Sequence, residues 1–228
     1  MSRRVSIVLG VVLGGAIVRA EAPPPFRTGI LPILTKAGCN AGACHGAATG
    51  QGGFKLSLLG YDPEEDFDRI TRELGARRLS VQHPEESLFL RKPSGQVEHE
   101  GGRKLRRDSA GYEWVRRWIA AGAPYGPPEL QVSTIAVEPA DHLFAGTNET
   151  QQLRVTATLS NGSRQDVTSL ALYTSNDDAI ALVAKEGAVT LVGRGLTSIM
   201  VRYSGQVAAA RLAVPWGEVG GEVGDFPT

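Results

Sequence analysis

The chain has 228 residues, 42% of them hydrophobic and 21% charged, close to globular averages, so disorder does not dominate it. Its 24 Lys and Arg balance 24 Asp and Glu, and a formal net charge of zero argues against nucleic acid as a partner. The length suits one large domain or two ordinary ones, and two cysteines are too few for a disulfide-dependent scaffold.

In chain order, the first feature is a targeting segment. Arg3 and Arg4 form a positive start, Val5 to Val18 are nearly all apolar or Gly, and Ala20-Glu21-Ala22 offers small residues for cleavage before Pro23-Pro24-Pro25. An apolar run of about fourteen residues is short for a span of about twenty. Residues 1–22 are therefore predicted to be a signal peptide, and the mature chain to be exported, to the periplasm or the cell surface.

Helical spacing follows. Ile30, Ile33, Leu34 and Ala37 predict a short helix leading into Cys39. Asp62-Pro63-Glu64-Glu65 predicts a capped helix start, with Glu65 closing a capping box and Gly75 stopping the helix after Leu74. Gly46 to Gly60 is glycine-rich and irregular, apart from a short strand at Phe54 to Leu58. The last helix starts near Ser109, carries Tyr112, Val115, Trp118 and Ile119 on one stripe, and stops at Gly122-Ala123-Pro124. The basic run Arg103, Lys104, Arg106 and Arg107 before it is a solvated loop.

At Pro124-Tyr125-Gly126-Pro127-Pro128 the period changes from helical to alternating, which marks a linker. Beyond it Ile135 and Val137, Leu153 to Leu159, Ile180 to Val183, Val189 to Val192, Thr197 to Tyr203 and Val207 to Val214 predict strands. Asn161-Gly162, Lys185-Glu186-Gly187 and Ser204-Gly205 are the turns between them. The expected organisation is multidomain: an all-α cytochrome c-like domain over 26–125, an all-β Ig-like sandwich over 131–214, and a disordered tail over 215–228.

The chemistry-bearing motif is Cys39-Asn40-Ala41-Gly42-Ala43-Cys44-His45. Two thiols followed at once by a histidine suit covalent haem, with thioethers from both sulfurs and His45 as the iron ligand, although four residues separate the thiols where two are usual. Spacing alone leaves open a Cys39–Cys44 disulfide, a zinc site shared with His45 and His99, and free thiols. The first half has no Met beyond the leader, and His99, in Val97-Glu98-His99-Glu100-Gly101-Gly102, is the candidate sixth ligand. His83 before Pro84 suits a turn, and His142 belongs to the other half. No Ser/His/Asp set, phosphate loop or carboxylate pair points to a hydrolase, so the chain is not expected to be an enzyme.

The stretch from Gly29 to Tyr125 resembles the planctomycete-type cytochrome c domain in its GCNxGxCHG variant. The resemblance rests on Gly38-Cys39-Asn40 with Cys44-His45-Gly46, Gly52-Gly53-Phe54-Lys55-Leu56-Ser57-Leu58, Gly60-Tyr61-Asp62, Ser87-Leu88, His99 with Gly101-Gly102, and Trp118 to Pro124. It implies one covalent haem c on Cys39 and Cys44, His45 proximal, His99 distal, and electron transfer with a redox partner protein at a potential below that of a Met/His haem. Val132 to Val214 resembles the group-two bacterial immunoglobulin-like domain. That likeness rests on Ile135-Ala136-Val137-Glu138-Pro139, Leu153 to Ala157, Asn161-Gly162, Asp166-Val167-Thr168, Ser175-Asn176, Gly193 and Gly195. It implies a spacer or an adhesive contact with a cell surface or carbohydrate. The rival expectation is a non-haem surface adhesin or structural protein with a Cys39–Cys44 disulfide.

Overall fold

The computed structural model describes residues 22–127 and 130–216. The predicted leader, except for Ala22, and the predicted tail beyond Trp216 lie outside these residues.

The first half is a set of short helices held by turns. A π-helical turn, Phe26–Ile30, leads into α1, Leu31–Lys36. Next come α2, Pro63–Thr71, α3, Leu88–Arg91, and α4, Ala110–Ala120, with 3-10 turns at Leu58–Gly60 and Pro84–Glu86. Both α1 and α4 stop in the same way. Gly38, at φ 77, donates to the Thr35 carbonyl while Cys39 donates to that of Leu34. Gly122, at φ 84, donates to Ile119 while Ala123 donates to Trp118. Glycine takes the left-handed position that satisfies the last helical carbonyls. The Asp62 carboxylate caps α2 by accepting from Glu65 N at 3.0 Å, but Glu65 turns its own carboxylate to Arg69, so the capping box is only half formed. The helix ends three residues before the expected Leu74, because Leu74, Gly75 and Ala76 are all left-handed.

The predicted strand at Phe54–Leu58 is absent. A single bridge between Gln51 and Phe54 closes the Gly52-Gly53 turn. More broadly, the expected all-α cytochrome c-like domain is overturned. The helices of this half run from 3 to 11 residues, with long stretches of turn after Lys36, Thr71 and Arg91, and the described chain has more strand than helix. The physical reason is punctuation: left-handed glycines stop α1 and α4, and prolines open α2 and the turn at Pro84–Glu86, so helical periodicity never extends far.

The second half is β-structure compatible with a sandwich. Its strands are β1 (Val132–Glu138), β2 (Asp141–Leu143), β3 (Thr150–Gln152), β4 (Arg154–Leu159), β5 (Arg164–Asp166), β6 (Leu172–Ser175), β7 (Ala181–Val183), β8 (Ala188–Leu191), β9 (Gly195–Tyr203) and β10 (Gln206–Val214). They form sheets of order β1-β4-β5, β2-β10-β9-β6 and β3-β8-β7. All pairings are antiparallel except β2 with β10. Alternate residues of β4 and β9 point inward, which gives the core Val155, Ala157, Leu159, Ile199, Val201 and Tyr203. The Ser204-Gly205 turn has φ 47 and 82, the left-handed pair that a two-residue hairpin requires.

A second core, with Phe26, Leu34, Val115, Trp118 and Ile119, fills the first half. The two halves meet. Leu170 packs against both cores, the Tyr203 hydroxyl donates to the Thr28 carbonyl at 2.6 Å, Ser204 donates to that of Arg27, and Lys36 donates to that of Ser169 at 2.7 Å.

Candidate functional site: a cleft between two histidines

The end of α1 sets the position of the cysteine loop. Once Gly38 has closed the helix, the chain folds back on itself: Cys44 and Gly46 donate to the Ala41 carbonyl, and His45 donates to that of Cys39 at 3.0 Å. The four residues between the thiols are thus taken up in a closed loop whose ends meet. A Cβ at Gly46 would lie 2.1 Å from the Asn40 carbonyl oxygen, so this closure depends on glycine. Asn40 is fully buried beneath the loop, with its amide donating to Thr35 Oγ1 at 2.9 Å.

The next segment locks His45. Leu56 N donates to the His45 carbonyl at 2.7 Å, and the His45 Nδ1–H donates to the Phe54 carbonyl at 2.9 Å, with the Phe54 ring 4.8 Å from the imidazole. Since Nδ1 holds the proton, Nε2 is left as the free lone pair. Burial lowers the His45 pKa from its ordinary value, opposed by hydrogen bonding to the backbone at Phe54 and reinforced by His99 and Lys92 nearby.

His99 comes from the loop after α3. Its Nδ1–H donates to the Gly102 carbonyl at 2.9 Å. The His45 and His99 rings lie 6.1 Å apart, centre to centre, with 18° between their planes. Both face a cleft of about 660 Å³ that is also lined by Cys39, Cys44, Phe54 and Phe89. Both cysteines are free thiols in the structure. Burial pushes the Cys39 thiol up to about 11, with the neighbouring Cys44 adding to the rise and Lys104 opposing it.

The four residues singled out from the sequence therefore share one cleft. His83 is exposed ahead of the Pro84–Glu86 turn, and His142 sits on β2 edge-on to Phe144 at 4.4 Å, so neither takes part. Residues to which the sequence gave no part in the site also line the cleft: Phe54, Arg78, Lys92 and Lys104 among them. Arg78 lies 4.4 Å from the Phe54 ring centre while it pairs with Glu73 and donates to the Arg69 carbonyl, which fixes the cleft wall. Only the tandem Gly52-Gly53 before Phe54 carried any sequence signal for these.

Among the described residues no group of three or more His, Cys, Asp or Glu side chains comes together as a metal site. That overturns the zinc alternative and the expectation of a metal-binding protein. No family model matches this chain. Over 73 residues, 32% of this chain, it is 38% identical to an S-layer-related protein of Niallia circulans. The matched stretch is 4% of that relative, so the chain spans a small fraction of the curated protein it matches. The similarity supports an exported or cell-surface location. It also corrects the description of the chain as a cytochrome, because the curated protein found is surface-layer-related and the fold is not the expected helical one.

Proposed function

We propose that this chain is an exported protein of the outer cell surface with a structural or adhesive role, whose β half serves as an immunoglobulin-like spacer or contact module. The observation that carries this reading is the similarity to an S-layer-related protein over 73 residues. The β half supports it, because its buried positions are almost entirely apolar and its hairpins are tight, as a passive module requires. Carbohydrate or another surface component is the proposed contact. The test is localisation: protease added to intact cells producing the chain is expected to remove its β half, whereas full protection until the cells are lysed would refute the reading.

One observation favours a second feature of the same surface protein, a covalent haem in the cleft. A porphyrin supplies four ligands itself and asks the protein for two, so the lack of a three-residue cluster does not bear on it. If each free imidazole nitrogen lies ~2 Å from a shared metal, and ~1 Å from its own ring centre, the two centres stand ~6 Å apart. The rings of His45 and His99 are 6.1 Å apart, with both Nδ1 atoms engaged elsewhere. The residues present therefore fit the group: Cys39 and Cys44 would carry it, and His45 and His99 would hold its two faces. When bound, haem with two imidazoles supplies one-electron exchange with a partner protein. The chain's own part is to favour the uncharged form of His45 by burial, orient both rings through backbone carbonyls and wall the cleft with Phe54 and Phe89. Colour that stays with the chain on a denaturing gel and is lost in Cys39→Ala/Cys44→Ala is the expected result. A colourless chain from a host that attaches haem would refute this feature and leave the surface role standing.

A further inference from the structure

A second, smaller groove of about 230 Å³ runs where the two halves meet, lined by residues of α1, of the Leu58–Gly60 turn and of β6, β9 and β10. Four large apolar residues on it are exposed: Leu58, Leu59, Tyr61 and Val207. Apolar residues gathered on one patch mark a contact site, where scattered ones do not. Leu59 lies at φ 55 and Gly60 at φ 76, and Tyr61 N donates to the Leu58 carbonyl at 3.2 Å, which closes a left-handed turn at the rim. Leucine rarely takes that conformation, and strain of this kind gathers at functional surfaces. Tyr61 ends the turn and is 88% exposed. Among the described residues that line the groove, Arg202 alone is charged. It donates to the Met200 thioether, a weak acceptor, at 2.8 Å and makes no ion pair among the described residues. Glu64, exposed in the first turn of α2 just beyond Tyr61, makes none there either. Strand register carries the same face onward without charge, from Leu172 and Val207 beside Arg202 to Thr174 and Ala209 beside Met200.

We propose that this groove is the contact surface for a second copy of the chain. In a two-fold pair the Tyr61 ring of each copy fills the groove of the other, and Glu64 of each copy meets Arg202 of the other. Such an interface uses one patch twice, so the patch must hold both a knob and a hollow, with opposite charges beside them. Tyr61 with Glu64 is the knob, and the groove with Arg202 is the hollow. A tyrosine suits the first part, since its large rigid ring orders few torsions on burial. The formal net charge of zero leaves no long-range repulsion between copies. This deepens the surface role proposed above and rests on it: a structural surface protein gains a way to associate with itself.

The experiment is sedimentation velocity of the purified chain over a concentration series. The parent is expected to show a reversible equilibrium between monomer and dimer. Tyr61→Ala removes the aromatic anchor and should weaken the dimer about 30-fold or more. Arg202→Glu and Glu64→Arg each set like charges together at two places in the dimer and should each weaken it about tenfold or more. An equimolar mixture of those two charge variants restores both opposite pairs and should associate as the parent does. Circular dichroism checks the fold of each variant. A parent that stays monomeric up to its solubility limit would overturn the contact and leave the surface role standing, because protease on intact cells reads that role separately. A dimer that ignores all three substitutions would overturn it too, since the copies would then meet elsewhere. Weakening by both charge variants without recovery in the mixture would overturn the pairing of Glu64 with Arg202 and with it the two-fold arrangement.

Discussion

Cys39 offers a direct measure of the cleft's environment. Its thiol is pushed from 9.0 up to about 11, chiefly by burial. Alkylation proceeds through the thiolate, and at pH 8 a thiol at 9.0 is about 9% ionised whereas one at about 11 is about 0.1% ionised. With both thiols free, iodoacetamide should therefore modify Cys39 in the folded chain about 90-fold more slowly than in the urea-unfolded chain at the same pH. The rate should climb close to tenfold per pH unit from 7 to 10 and level only above that. Lys104→Gln should slow it further, because the charge that favours the thiolate is then gone. Quenched samples read by mass spectrometry of the Cys39 peptide give both numbers. A plateau near pH 9, with folded and unfolded rates alike, would mean that the thiol meets water freely and that burial does not raise its pKa.

Four further outcomes follow from packing, hydrogen bonding and burial. Leu153→Ala, at a fully buried position of the sandwich core, should cost about 3–4 kcal/mol in chemical denaturation, and a loss under 1 kcal/mol would contradict the packing. Tyr203→Phe removes the 2.6 Å hydrogen bond to Thr28 and should cost about 1 kcal/mol, or about 2–4 °C in Tm, with faster proteolysis near Pro127 as the halves loosen. Asp66 is buried on α2, and its carboxylate accepts from Ser57 N at 2.5 Å and from Ser57 Oγ at 2.7 Å, so Asp66→Ala should cost about 2–3 kcal/mol. Burial raises the Asp66 pKa against the opposing effect of the Ser57 bonds, so the folded chain holds that proton more tightly than the unfolded one. Its contribution to stability is greatest in acid and falls as pH rises from the ordinary carboxylate range through the raised value. Asp66→Asn should flatten that fall in urea melts across pH 3–7.

The sites of helix termination were legible where glycine stands at a left-handed position, as at Gly122, and the capping role of Asp62 was legible from its place before Pro63. The strands β4, β9 and β10 were legible because alternation over six to nine residues has one explanation. The three-residue strands β2, β3 and β5 were not, since they are too short to show a period and exist only because a neighbouring strand offers its backbone. The helical first half was overread, because a stripe of apolar residues gives the face of a helix and not its length. Glu65 was misassigned for a related reason: Arg69, one turn on, competes for the same carboxylate.

The sequence by itself determined which residue types could do chemistry here, two thiols and an adjoining imidazole with a second histidine about fifty residues on, because donor chemistry is a property of side chains. It also determined the alternation that builds the β half. Only the tertiary structure decided that His45 and His99 meet in one cleft, and that their Nδ1 atoms are spent on the Phe54 and Gly102 carbonyls. Those are distances between segments joined by irregular loops, and an irregular loop has no period from which a distance can be read. Its path is set by individual backbone hydrogen bonds and by single glycines such as Gly46, which only the folded chain brings into play.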